Sequence, residues 1–199
     1  MKRKTFFTLL VIVGLLVPLY GIPSERNRDT WQQPEKVMDA IGVGPGMVIG
    51  EAGAGKGYFT FKLARRVGPS GKIYANDIDD DALDTIRERI EDEDIGNIVT
   101  VRGEVEDPLF PEGQLDMVFM CYVLHDVSRP EAFLKNLKPY LKPGATLVIL
   151  ERDPGKYSSA AGHFWHKEKL LRVVKSSGYK LVRLETFLSR DNLYILEPE

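Results

Sequence analysis

The stretch "GEAGAGKGYF", residues 50–59, decides how the rest of the chain is read. Gly50, Gly55 and Lys56 fit a phosphate-binding loop, G-x-x-x-x-G-K, until its last position, where a Ser or Thr hydroxyl should hold magnesium and Gly57 stands instead. Glu51 would also set a carboxylate beside a polyanion. Gly53, Gly55 and Gly57 fit a different pattern, G-x-G-x-G, in which the backbone approaches an adenosyl ligand closely and turns tightly into a helix. S-adenosylmethionine carries a sulfonium and an ammonium, so an acid such as Glu51 suits it. A helix N-terminus beyond the loop can face its carboxylate.

Working outward, the loop lies between a short apolar strand at 47–51 and a helix expected from about 57 to 67. The next strand, "KIYANDID", brings Asp77 to its end, 20 residues beyond Gly57. A carboxylate there can accept both ribose hydroxyls. A nicotinamide cofactor would use the same acid, but its fingerprint G-x-G-x-x-G needs a glycine where Tyr58 stands. Then follow an amphipathic helix ("DDALDTIRERIEDED"), strands "NIVTVR" and "LDMVFMCYV", and a helix that Pro139 must end or kink. "PGATLVILE" is a further strand, "HKEKLLRVVKSSG" a helix, and "YKLVRLETF" with "DNLYILEP" an antiparallel hairpin. Alternation of this kind predicts an α/β fold with a mostly parallel sheet and helices on both faces. Its ligand crevice lies at the carboxyl ends of the strands.

Upstream, "MKRK" precedes seventeen uncharged residues, 6–22. A basic start before an apolar run reads as a signal peptide or membrane anchor over residues 1–22. Cleavage after Gly21 would place Leu19 at a position that calls for a small residue, and membrane attachment is therefore the favoured reading over a freed, exported domain. Sidedness stays open. Residues 23–33, "PSERNRDTWQQ", read as a polar linker, and residues 34–199 as the globular domain. In the linker, Trp31 either closes over the cofactor or only staples the segment.

Five of the 27 basic residues and one of the 29 acidic residues lie before residue 29, so the remainder carries six more acids than bases. That is a poor footprint for nucleic acid. The one cysteine, Cys121, excludes a disulfide framework, and three histidines with it leave little for a conventional transition-metal site, so no metal is expected.

With these residues in view, the chain resembles the class I S-adenosylmethionine-dependent methyltransferases over roughly residues 34–197. "VIGEAGAGKGYF" is similar to their first motif, "IYANDID" to their second, and "GEVEDPLFPEGQLDMVF" to the third-strand loop, where Asp is usual at the position of Glu104. "LHDV" and "LKPGATLVILE" resemble the segments around strands four and five, in the small-molecule branch that includes ubiquinone and menaquinone biosynthesis. The resemblance implies a Rossmann-like seven-stranded sheet in the order 3-2-1-4-5-7-6, with strand seven antiparallel. It implies that Glu51, Gly53, Gly55 and Gly57 line the methionine part and that Asp77 holds the ribose. Ile78 would lie against adenine, Glu104 reach its amino group, and the Val105 amide face a ring nitrogen.

The expected activity is methyl transfer to a small-molecule or lipid-like acceptor. The alternative is a membrane-tethered protein that binds an adenosyl ligand without turnover. No [DN]-P-P-[YFW] motif follows strand four, which argues against amino-methylation of nucleic acid. His125, after that strand, is either a general base or a residue that shapes the pocket. Asp126 is as readily a capping residue, and Tyr122 either lines the acceptor pocket or packs. His163 and His166 are either part of an acceptor lid or of a solvated loop.

Overall fold

The computed structural model describes residues 23–157 and 162–199. The apolar leader at 1–22 lies outside the described residues. Among those described, no helix is long and apolar enough to cross a membrane.

The chain runs α1 (Pro23–Gln32), α2 (Pro34–Ala40), β1 (Val48–Ala52), α3 (Thr60–Val67), β2 (Lys72–Asp77), α4 (Asp80–Asp92) and β3 (Ile98–Arg102). It continues through β4 (Leu115–Cys121), α5 (Pro130–Leu137), β5 (Leu141–Arg152), α6 (Lys167–Ser176), β6 (Tyr179–Glu185) and β7 (Asp191–Pro198). The seven strands form one sheet in the order β3-β2-β1-β4-β5-β7-β6, as the resemblance implies. β1 pairs in parallel with both β2 and β4, whereas β7 is antiparallel to β5 and to β6. The chain therefore leaves β1 in one direction and returns in the other, and the crevice opens at the carboxyl ends of β1 and β4.

Strand side chains divide by period two. Met117 and Phe119 of β4, with Val148 and Leu150 of β5, join one core with Val37 and Met38 of α2, Leu63 of α3 and Leu83 and Ile86 of α4. Val118 and Met120, with Leu147 and Ile149, join the opposite core with Leu134 of α5 and Leu170 and Val174 of α6. Each buried aliphatic or aromatic side chain contributes about 1.5–3 kcal/mol, and the two layers fix the register on both faces.

Two expectations need correction. The polar stretch at 23–33, expected without regular structure, is helical: residues 23–32 form α1. Its sequence is polar all round, so periodicity gives no signal, and the helix is held by contacts with the domain. Tyr58 donates to Asp29 Oδ1 at 2.5 Å, Lys62 pairs with Asp29 at 3.1 Å, and Trp31 stacks on Tyr122 with ring centroids 6.5 Å apart. The helix after the glycine loop also starts later than expected, at Thr60, because Gly57 at φ +85° lies outside right-handed helical space.

Candidate functional site

The loop between β1 and α3 carries three left-handed glycines, Gly53, Gly55 and Gly57. Gly50, the first residue of the phosphate-loop pattern, has a packing role instead. A Cβ there would meet Leu115 Cδ1 at 2.7 Å and Phe110 Cε2 at 2.9 Å.

Asp77, at the end of β2, fastens the loop. Its Oδ2 accepts from the Gly55 amide at 2.7 Å and its Oδ1 from the Asp79 amide at 3.0 Å, while the Ala54 amide donates to the Asn76 carbonyl at 2.8 Å. After β3, Glu104 and Asp107 exchange backbone hydrogen bonds, which turns the chain so that Glu104 and Val105 face the crevice. The fold thus brings Gly53, Gly55, Asp77, Ile78, Glu104 and Val105 around one cavity of about 360 Å³. Ile78 and Val105 are 51% and 57% exposed there. Exposed aliphatic side chains at the rim of one cavity suit a flat apolar ring between them.

An adjoining cavity of about 730 Å³ shares Gly53, Gly55 and Tyr122 with the first and adds Glu51, Arg28 and Tyr58. Glu51 is buried and accepts from Thr60 Oγ1 at 2.5 Å. Burial pushes its carboxyl up to about 8, with the Thr60 hydroxyl pulling the other way. Gly57 lines neither cavity. A Cβ there would meet Phe61 at 2.6 Å and Ile86 at 3.1 Å, so it serves the close packing of the loop on α3 and α4.

Sequence reasoning did not find Arg28. Its guanidinium lies 3.8 Å from the Tyr58 ring centroid and donates to the Cys121 thiol at 3.3 Å. Cys121 is a packed thiol, and burial holds its ionisation well above the usual range. Nor did the sequence show that Arg152, at the end of β5, sits among Trp31, Tyr122, Tyr157 and Phe164, with ring centroids 4.9–5.4 Å away. Arg152 also donates to the Tyr122 hydroxyl at 2.9 Å. α1 therefore contributes Arg28 to the wall of the larger cavity, and its Trp31 packs on Tyr122.

His125 lies in the single 3₁₀ turn after β4, with its side chain only 2% exposed. Its Nδ1 is 3.0 Å from Glu151 Oε1, itself 2% exposed, and its Nε2 is 3.3 Å from Asp126 Oδ2. His163 packs edge-on against it with centroids 4.8 Å apart. His166 does not join them and stands at the N-terminus of α6. Asp126 and Tyr122 line the smaller cavity, and His125 lines neither.

Against this geometry stand the comparisons. Residues 51–147 match the family model described as "Methyltransferase domain". The chain is 35% identical over 115 residues to the ubiquinone/menaquinone biosynthesis C-methyltransferase UbiE of Ectopseudomonas mendocina, covering 57% of this chain and 45% of that protein. The chain thus spans about half the length of the curated relatives it matches. In fold it is similar to a SAM-dependent methyltransferase from Aquifex aeolicus, with TM-score 0.80 and 24% identity over 88% of this chain and 93% of that one. It is also similar, with TM-score 0.67 and 16% identity over 79% and 61% of the two chains, to the [4+2]-cyclase SpnF. Both likenesses are of fold.

Proposed function

We infer that this chain, whose residues 51–147 match the model of a methyltransferase domain, is of the class I S-adenosylmethionine-dependent type and transfers a methyl group from that cofactor to a small-molecule acceptor. Because a cyclase shares the fold, fold alone does not carry the reading. The carrying observation is the single cavity that joins the glycine loop, Asp77 and the paired apolar residues Ile78 and Val105. Asp77 takes the ribose, Ile78 and Val105 hold the adenine between them, Glu104 reaches its amino group, and Gly53 and Gly55 give room for the methionine part. Glu51 faces the cationic end, where a negative charge stabilises a sulfonium and an ammonium. Methyl transfer then depends on holding the acceptor atom in line with the methyl group, which requires no covalent catalysis. His125, buried and outside both cavities, shapes the acceptor side rather than touching the acceptor.

The acceptor is small or lipid-like, in keeping with the aromatic and guanidinium groups under α1 and with the printed function of the relatives. Nucleic acid does not fit the acid excess.

Calorimetry tests the reading. S-adenosylmethionine and its demethylated product should each bind with micromolar affinity, about −8 kcal/mol, and ATP with magnesium should not bind. Asp77→Ala should weaken cofactor binding by about 1–3 kcal/mol, since it removes charge-assisted hydrogen bonds and frees the Gly55 amide. Tight ATP binding with none of the adenosyl cofactor would sink the assignment.

We also propose that residues 1–22 tether the domain to a membrane, on the strength of the basic start and the seventeen-residue uncharged run. The full chain should sediment with the membrane fraction and resist extraction by high salt, whichever side the domain faces. Recovery of the full chain only in the soluble fraction contradicts the tether.

A further inference from the structure

The cluster His125, Asp126 and His163 has a use that methyl transfer does not require. One donor atom from each of the three lies within 4.8 Å of the others. The three come from two segments: His125 and Asp126 from the turn after β4, His163 from the stretch before α6. Behind them stands Glu151, at the end of β5, with Oε1 3.0 Å from His125 Nδ1. That contact is at ion-pair distance but bent from a hydrogen bond, and His125 Nδ1 and Glu151 Oε2 are both buried without a hydrogen-bond partner. A carboxylate on one nitrogen of an imidazole fixes the proton there and turns the lone pair of the other nitrogen outward. In His125 the outward nitrogen is Nε2, the one beside Asp126.

We propose that His125 Nε2, Asp126 and His163 form a binding site for a divalent transition-metal ion, with Glu151 as the buried partner that orients His125. Two imidazoles and one carboxylate match a zinc-like or other first-row divalent ion rather than magnesium or calcium, which require oxygen donors. Metal–ligand distances of about 2.0–2.2 Å put neighbouring donors about 3.3 Å apart in a tetrahedral site. The observed spread closes to that by rotation of His163 and Asp126, both exposed. His125 cannot move as far, because Phe164 packs 4.2 Å from its ring and Glu151 backs it. Three protein ligands leave a coordination position open, and Asp126 places it beside the cofactor cavity. An ion there would hold an acceptor oxygen or water and lower its pKa. The sequence, with three histidines and one cysteine, argues against a metal by count. The fold brings two of the three histidines together.

The proposal does not rest on the methyl-transfer reading, because metal binding is read without cofactor or acceptor. The test uses the full chain, free of any polyhistidine tag and stripped with a chelator, titrated with cobalt(II) alone. One ion should bind per chain with visible ligand-field absorption, and zinc(II) should displace it. His163→Ala should weaken binding at least about tenfold, and Glu151→Gln by about 10–100-fold. The urea midpoint and far-ultraviolet circular dichroism of His163→Ala should match the native chain, which shows that this variant, altered at an exposed side chain, is folded. Absence of a saturable cobalt spectrum overturns the proposal. So does a His163→Ala protein that binds cobalt as the native chain does.

Discussion

Gly53→Ala should destabilise the protein by about 2–5 kcal/mol and remove most of its cofactor affinity. Two costs combine. Gly53 sits at φ +73°, where a Cβ costs about 1–2 kcal/mol. That Cβ would also lie 2.3 Å from Val123 Cγ2 and 3.1 Å from Cγ1, well inside contact distance. Val123 belongs to the wall of the same cavity, so whichever side yields, the crevice changes shape. Crowding of this kind costs about 1–3 kcal/mol. Gly55 supplies the control. It also has positive φ, +54°, but nothing lies within 4 Å of its Cβ position, so Gly55→Ala should cost only the conformational part, about 1–2 kcal/mol. Urea unfolding should show a lower midpoint for Gly53→Ala at unchanged slope. Equal losses in the two variants would mean that Val123 yields freely and that the close approach does not matter.

The same residues show what a sequence discloses and what it withholds. β4 and β5 were legible because their apolar residues alternate over two buried faces, and Asp77 because it closes a strand at a fixed distance from the loop. The sheet order came from the resemblance, as did the proposed adenine contacts, since strand pairing is not written in local periodicity. α1 was hidden, because a polar helix held by Asp29, Trp31 and Arg28 has no apolar stripe to read. The packing around Gly57 was hidden for a different reason: three glycines in one pattern look alike, yet only the fold shows that a Cβ on this one would meet Phe61 and Ile86. In the sequence Glu151 is only the last residue of the strand "PGATLVILE". Only the fold shows that its partner is His125.

Glu51 gives a second large effect, read by pH. Its carboxyl ordinarily ionises at 4.5, and in the folded protein burial raises this to about 8. Below the unfolded value both states hold the proton, and there is no contribution. Between the two values the unfolded chain has lost the proton and the folded chain keeps it, so stability falls as pH rises, by up to about 1.4 kcal/mol per pH unit. Above about 8 both states are ionised and the full penalty remains. Glu51→Gln removes the charge without the bulk, so its stability should overtake that of the native protein above about pH 5 and the gap should widen to about pH 8. The cofactor acts in the opposite sense. In the proposed arrangement its sulfonium and ammonium stand beside Glu51 and favour the ionised carboxylate, so binding at neutral pH should expel a proton. Affinity for S-adenosylmethionine should therefore rise between about pH 6 and 8, by up to tenfold per unit, and then level off. Calorimetry in buffers of different ionisation heat counts the released proton directly. In Glu51→Gln the proton release should vanish and the affinity should be flat with pH. If the variant keeps the native slope, another group titrates on binding, and Glu51 does not face the cationic end of the cofactor.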